Sequence, residues 1–165
     1  MLEGIKLPEA VESIFYILNK NGYEAYIVGG AVRNSIIELP VHDWDICTNA
    51  LPEDVCKLFR SKGFRVVETG LQHGTVTVMV NYRGYEITTY RTDGKYTDSR
   101  HPDSVKFVGS IYEDLARRDF TMNAIAYNDD DGLIDPFNGL KDIENKIIRC
   151  VAHLLIDSQK IRYVL

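Results

Sequence analysis

Residues 74–80, Gly-Thr-Val-Thr-Val-Met-Val, alternate strictly and place Val76, Val78 and Val80 on one face. A period of two is the signature of a half-buried β-strand. Tyr85 to Arg91 is its antiparallel partner, joined through Asn81-Tyr82-Arg83-Gly84, so the pair predicts a hairpin and commits the chain to a sheet. The remaining elements are shorter. Val11, Ile14, Phe15 and Leu18 recur at helical spacing over residues 8–20, with Pro8 before and Gly22 after, and this predicts an amphipathic helix. Strands are expected at Tyr23–Val28, Asp43–Cys47 and Phe64–Thr69. Helices are expected at Ala31–Glu38, from Pro52 to about Ser61, at Ile111–Ala126, and near Leu140–Asn145. Leu133-Ile134 and Ile147-Ile148-Arg149 read as short strands. Helices and strands mix without strict βαβ order, which points to an α+β fold: a mixed sheet with helices on one side.

Asp43 and Asp45 bracket Trp44 in an otherwise apolar segment. On a strand both carboxylates share one face, and two clustered carboxylates suit a hard divalent cation. The plain alternative is an edge strand with two solvated acids. Glu86 lies on the second strand of the hairpin; if that strand neighbours Asp43–Cys47, Glu86 completes a three-carboxylate cluster. Such a cluster fits a pair of Mg²⁺ ions about 3.5–4 Å apart.

Val28-Gly29-Gly30 ends a strand and opens a helix, an arrangement whose backbone N–H groups suit a phosphate. Arg33 follows one turn later, within reach of the same anion. The alternative is a bare turn. In Arg117-Arg118-Asp119-Phe120-Thr121-Met122-Asn123, the expected helix puts Asp119 and Asn123 on one face. Glu113–Arg117 and Asp114–Arg118 have the spacing of helix-surface ion pairs, and an arginine can bridge an acid and a phosphate at once. Asn128-Asp129-Asp130-Asp131-Gly132 reads as a solvated turn, and residues 92–106 as a long loop without apolar periodicity. The four histidines form no visible constellation, and no Walker loop or nucleophile elbow is present.

Composition sets the outer bounds. A chain of 165 residues with 45% hydrophobic and 26% charged residues is long enough for one domain with a real core. No apolar run approaches a membrane span and no leader pattern opens the chain. Cys47, Cys56 and Cys150 lack metal-type spacing and read as buried thiols in a reducing cytoplasm. A net charge of −5 weighs against a nucleic-acid partner unless the binding surface lies elsewhere. The apolar, uncapped stretch His153–Leu165 reads as a cut through a longer protein.

These motifs, in this order, resemble the catalytic head of bacterial-type (class II) tRNA nucleotidyltransferases, the CCA-adding enzymes, and of the related bacterial poly(A) polymerases in the DNA polymerase β superfamily. The resemblance runs through Gly29-Gly30-Ala31-Val32-Arg33, Asp43-Trp44-Asp45 with Thr48, and 50–55. It continues through 73–78, Tyr85–Arg91, the 93–102 loop, 113–124 and Asp135–Gly139.

It implies a head of about five mostly antiparallel strands flanked by helices over residues 1–150, then the start of a helical neck over 151–165. It implies Mg²⁺-dependent transfer of CMP and AMP from CTP and ATP to the 3′ end of tRNA. Poly(A) addition, and a fragment that binds nucleotide without catalysis, are the rivals. Asp43, Asp45 and Glu86 would bind metal; Gly29, Gly30 and Arg33 would hold the triphosphate; Arg118, Asp119 and Asn123 would lie near sugar and phosphates. The 93–102 loop resembles the one that the terminal adenosine step requires. The chain departs from the family at Asn34, where Asp is usual, and at Trp44, where a smaller aliphatic residue is usual. In length it ends where the RNA-binding regions would follow, which answers the charge objection.

Overall fold

A computed structural model of the chain describes residues 4–94 and 104–151. Five helices occur among them: α1 Glu9–Lys20, α2 Gly30–Ile36, α3 Pro52–Ser61, α4 Ile111–Ala116 and α5 Gly139–Glu144. The strands are β1 Ala25–Val28, β2 Ile46–Thr48, β3 Arg65–Val67, β4 Thr75–Val80, β5 Arg83–Thr89, β6 Arg91–Asp93, β7 Val105–Phe107, β8 Ala126–Asn128 and β9 Gly132–Ile134. Seven form one sheet in the order β3-β4-β5-β2-β1-β8-β9, while β6 and β7 form a separate ribbon. The α+β class holds, with seven strands in the main sheet rather than about five. All its pairings are antiparallel except β2 with β5.

The sheet is covered on both faces, not on one. Ile27, Ile46, Ile87, Val76 and Val78 meet Val11, Ile14, Phe15 and Leu18 of α1 and Val55 and Phe59 of α3 in the main core. The opposite face carries Tyr26, Val28, Cys47 and Ala126, packed with Tyr90, Val151 and Ile111 and Leu115 of α4. Burial of these apolar faces is the main stabilising term, and it assigns each residue of β2 to a face by parity.

Several boundaries differ from expectation. The hairpin turn is only Asn81-Tyr82, both at positive φ (49° and 63°), the two-residue turn whose twist matches the strands. Arg83 and Gly84 therefore belong to β5. The expected helix over Ile111–Ala126 stops at Ala116. A 3-10 turn at Thr121–Asn123 and strand β8 follow, because Ala126 and Tyr127 are drawn into the ladder beside β1.

Residues 147–149 form no strand; the nearest pairing is an isolated bridge between Phe120 and Cys150. The ends of the expected 92–106 loop are the ribbon strands β6 and β7. Cys47 and Cys56 are buried as expected, whereas Cys150 is exposed. Asp131 in the acidic turn accepts hydrogen bonds from the Tyr26 hydroxyl (2.6 Å) and Asn128 Nδ2. Most of the 93–102 loop and the neck helix expected near Leu154–Leu165 lie outside the described residues.

Candidate active site

The ladder places the carboxylates. Asp43, Trp44 and Asp45 are not in a strand: β2 begins at Ile46, and the two aspartates sit on the lead-in to it. The lead-in is nevertheless pinned. Val28 N donates to Asp45 O (3.1 Å), and the Arg83 guanidinium donates to the His42 carbonyl. Alternation survives across the boundary. Trp44 packs with Ile46 into the main core, so Asp43 and Asp45 take the opposite face, that of Cys47 and α4. The parallel register Ile46↔Ile87, carried back one residue, sets Asp45 beside Glu86. Glu86 lies on the same face, since Tyr85 and Ile87 point into the main core.

Glu86 and Asp45 sense their neighbouring charges. Glu86 is pushed above the usual carboxylate range by desolvation, then by the charges of Asp45 and Asp43. Asp45 is raised by desolvation; Arg118 opposes the rise and Asp43 adds to it. Repulsion among neighbouring carboxylates is the condition a cation relieves, so the donor set fits a hard divalent metal. Among the described residues, however, no three His, Cys, Asp or Glu side chains already stand at metal-holding spacing. The expected three-carboxylate centre is a shared face rather than a closed cage, as like charges favour.

Two arginines lie at the Gly29-Gly30 turn, and one of them, Arg118, is near enough to act on the charge of Asp45. Gly29 has φ +66°, a conformation open to glycine. A Cβ built on it would lie 3.2 Å from Arg118 Nη1, and one on Gly30 would lie 3.5 Å from Arg33 Nη2. The Gly-Gly turn is thus the floor on which both guanidinium groups rest. Arg33 Nη1 donates to Asn123 Oδ1 (2.6 Å), which joins the turn to the 3-10 segment. Arg118 Nη2 donates to Asp114 Oδ2 (3.1 Å), while Arg118 Nε is buried without a hydrogen-bond partner. An orphaned guanidinium donor next to a glycine turn is suited to an anionic ligand.

Asp119 behaves differently from expectation. It is exposed, its carbonyl accepts from Val151 N, and no helix face links it with Asn123, because α4 ended at Ala116. The Asp114–Arg118 ion pair forms as its spacing predicts. Arg117 turns instead to Asp114 Oδ1 (3.2 Å) and Asp93 Oδ2 (3.3 Å). Asp114 is fully buried and also accepts from Arg91 N (3.1 Å). The i, i+4 spacing of Asp114 and Arg118 predicts a surface pair, whereas Asp114 is in the core. Its position on the inward side of α4, three residues after Ile111 and next to Leu115, was the available signal.

The Poly A polymerase head domain family matches residues 25–149. The chain is 47% identical over 150 residues to the CCA-adding enzyme of Ligilactobacillus salivarius, covering 89% of this chain and 36% of that protein. It is 55% identical over 131 residues to the CCA-adding enzyme of Leuconostoc citreum, covering 79% of this chain and 32% of that protein. It therefore spans about a third of the length of these curated relatives.

Among solved structures, the Bacillus stearothermophilus CCA-adding enzyme in complex with CTP matches with a TM-score of 0.75 and 46% identity, over 87% of this chain and 33% of that one. A tRNA nucleotidyltransferase complexed with a primer tRNA and an incoming ATP analog matches with a TM-score of 0.63 and 33% identity, over 84% of this chain and 39% of that one.

Proposed function

The chain belongs to the Poly A polymerase head domain family, and from that premise we propose that it is the catalytic head of a CCA-adding tRNA nucleotidyltransferase. In this reading residues 1–150 are the head and 151–165 begin a neck, and the whole protein transfers CMP and AMP from CTP and ATP to a tRNA 3′ end, releasing pyrophosphate. The observation that carries the proposal is the β2–β5 register, which sets Asp45 beside Glu86, together with the two guanidinium groups on the Gly29-Gly30 turn. The names and bound nucleotides of the relatives support it.

A divalent metal, which the resemblance to the nucleotidyltransferases implies, is part of the same proposal. Asp43, Asp45 and Glu86 are the residues that would hold it, as two Mg²⁺ ions. When bound, Mg²⁺ supplies charge neutralisation for the attacking hydroxyl and the departing pyrophosphate. Arg33 and Arg118 hold the triphosphate against the turn and orient it towards the carboxylates, so much of the barrier is lowered by positioning and electrostatics. Asn123 fixes Arg33, and the exposed Asp119 is assigned to the nucleotide's sugar and phosphates. No protein nucleophile is required. Among the described residues no helix is long and apolar enough to cross a membrane, and a cytoplasmic setting is part of the same proposal.

The family description favours one second reading, addition of AMP alone to RNA 3′ ends. Labelled CTP offered to the full-length protein with tRNA lacking CCA separates the two. CMP incorporation is expected, lost on Asp45→Ala; incorporation of AMP only would establish the second reading instead.

A further inference from the structure

The Asp114 carboxylate is divided oxygen by oxygen. Its Oδ1 accepts from Arg91 N (3.1 Å) and Arg117 Nε (3.2 Å), which occupies both lone pairs of that oxygen. Its Oδ2 accepts from Arg118 Nη2 (3.1 Å). An arginine next to a carboxylate readily closes a two-bond fork, one N–H to each oxygen. Arg118 makes only one of the two bonds. Its Nε is buried without a hydrogen-bond partner, and its Nη1, the atom nearest a Cβ built on Gly29, donates to no side chain or carbonyl among the described residues.

Arg117 is held in place from its far side. Its Nη1 meets Asp93 Oδ2 (3.3 Å) at the end of β6, a strand paired with β7. Arg117 is therefore fixed between two carboxylates, and neither it nor Asp93 has been placed against the nucleotide. We infer that Arg117 is a positioning residue for the triphosphate: by filling Asp114 Oδ1 it denies Arg118 the fork and keeps Arg118 Nε and Nη1 uncommitted for a phosphate oxygen. Without it, one lone pair of Oδ1 is released, Arg118 closes on Asp114 with two bonds, and its donors are spent inside the protein. The inference rests on the proposed function, in which Arg118 is a triphosphate contact.

The test uses the full-length protein with R117M, R117Q, R118M and the double variant R117M/R118M. KM for CTP, kcat and inhibition by inorganic pyrophosphate are measured for each. R117M keeps the apolar stem and removes the donor to Oδ1. Its KM and its inhibition constant for pyrophosphate are expected to rise about fivefold while kcat stays within about twofold. A role confined to stability would instead reduce the active fraction, and with it kcat, and leave both other constants unchanged. In the R118M background R117M is expected to have little further effect, as coupled residues show in a double-mutant cycle.

Thermal unfolding of each variant verifies the fold, and R117Q, whose amide leaves a polar group between the two carboxylates, reads the same constants if R117M does not fold. Wild-type KM and pyrophosphate inhibition in the folded Arg117 variant, beside an impaired R118M, overturn the inference and leave the proposed function standing. A rise in R117M that persists undiminished in R118M also overturns it, since Arg117 would then act other than through Arg118. Wild-type KM in R118M instead overturns the placement of Arg118 at the triphosphate.

Discussion

Replacing Asp114 tests the electrostatic scaffold beneath the candidate site. Its carboxylate is fully buried and accepts from Arg91 N (3.1 Å), Arg117 Nε (3.2 Å) and Arg118 Nη2 (3.1 Å). Burial alone pulls Arg117 down, yet Asp114 and then Asp93 hold it net above its ordinary value. Asp114→Ala removes the charge and leaves two guanidinium groups facing a void. The arginine side chains are 16% and 19% exposed, so water relieves only part of the loss.

Breaking a buried pair by deleting one partner costs about 3–5 kcal/mol, and the exposure places Asp114→Ala near the lower end. Asp114→Asn keeps the shape and two acceptor contacts, and loses charge assistance worth roughly 1–2 kcal/mol. At about 2–4 °C per kcal/mol for a chain of this size, Asp114→Ala lowers the unfolding midpoint by about 6–12 °C and Asp114→Asn by about half of that. Trp44, the single tryptophan, packs against the main core and reports unfolding by fluorescence. A midpoint within about 1 °C of wild type for Asp114→Ala would refute the reasoning, because it would mean that the buried carboxylate carries no net stabilisation.

Further expectations concern the carboxylates and one glycine. Asp45 and Glu86 have raised pKa values in the folded chain. The folded state therefore holds protons that the unfolded state releases, and stability falls as pH rises from the unfolded pKa through the folded one. Without divalent metal, Asp45→Asn and Glu86→Gln should raise the unfolding midpoint at neutral pH and have no such effect below the ordinary carboxylate pKa; an equal gain at both pH values would contradict the assignment. Gly139→Ala should be strongly destabilising, by about 2–3 kcal/mol or more. A Cβ there would lie 2.8 Å from the Thr121 carbonyl carbon and closer still to its oxygen, both backbone atoms. A urea midpoint near wild type would disprove that clash.

The long, strongly patterned segments were legible in the sequence. The spacing of Val11, Ile14, Phe15 and Leu18 can bury one stripe only as a helix, and α1 buries those four. Alternation of Val76 and Val78 can bury one face only as a strand. The acids, the Gly-Gly turn and the arginines were also legible, because chemistry leaves unusual residues in unusual neighbours: two aspartates in an apolar run, two glycines before a helix.

What stayed hidden depended on partners distant in sequence. Nothing local to Ala126–Asn128 opposes a helix, and only pairing with β1 makes it a strand. Parallel pairing of β2 with β5 joins residues about forty apart and brings Glu86 to Asp45; parity then assigns all three acids to one face, a step period-two alternation allows but cannot complete. The burial of Asp114 and the hydrogen bond of Arg33 to Asn123 likewise exist only once α4 and α2 are docked. Sequence determined which groups the chain owns and the periodicity of each element. Tertiary structure decided which of them meet, because register and burial are properties of paired surfaces and no single segment contains them.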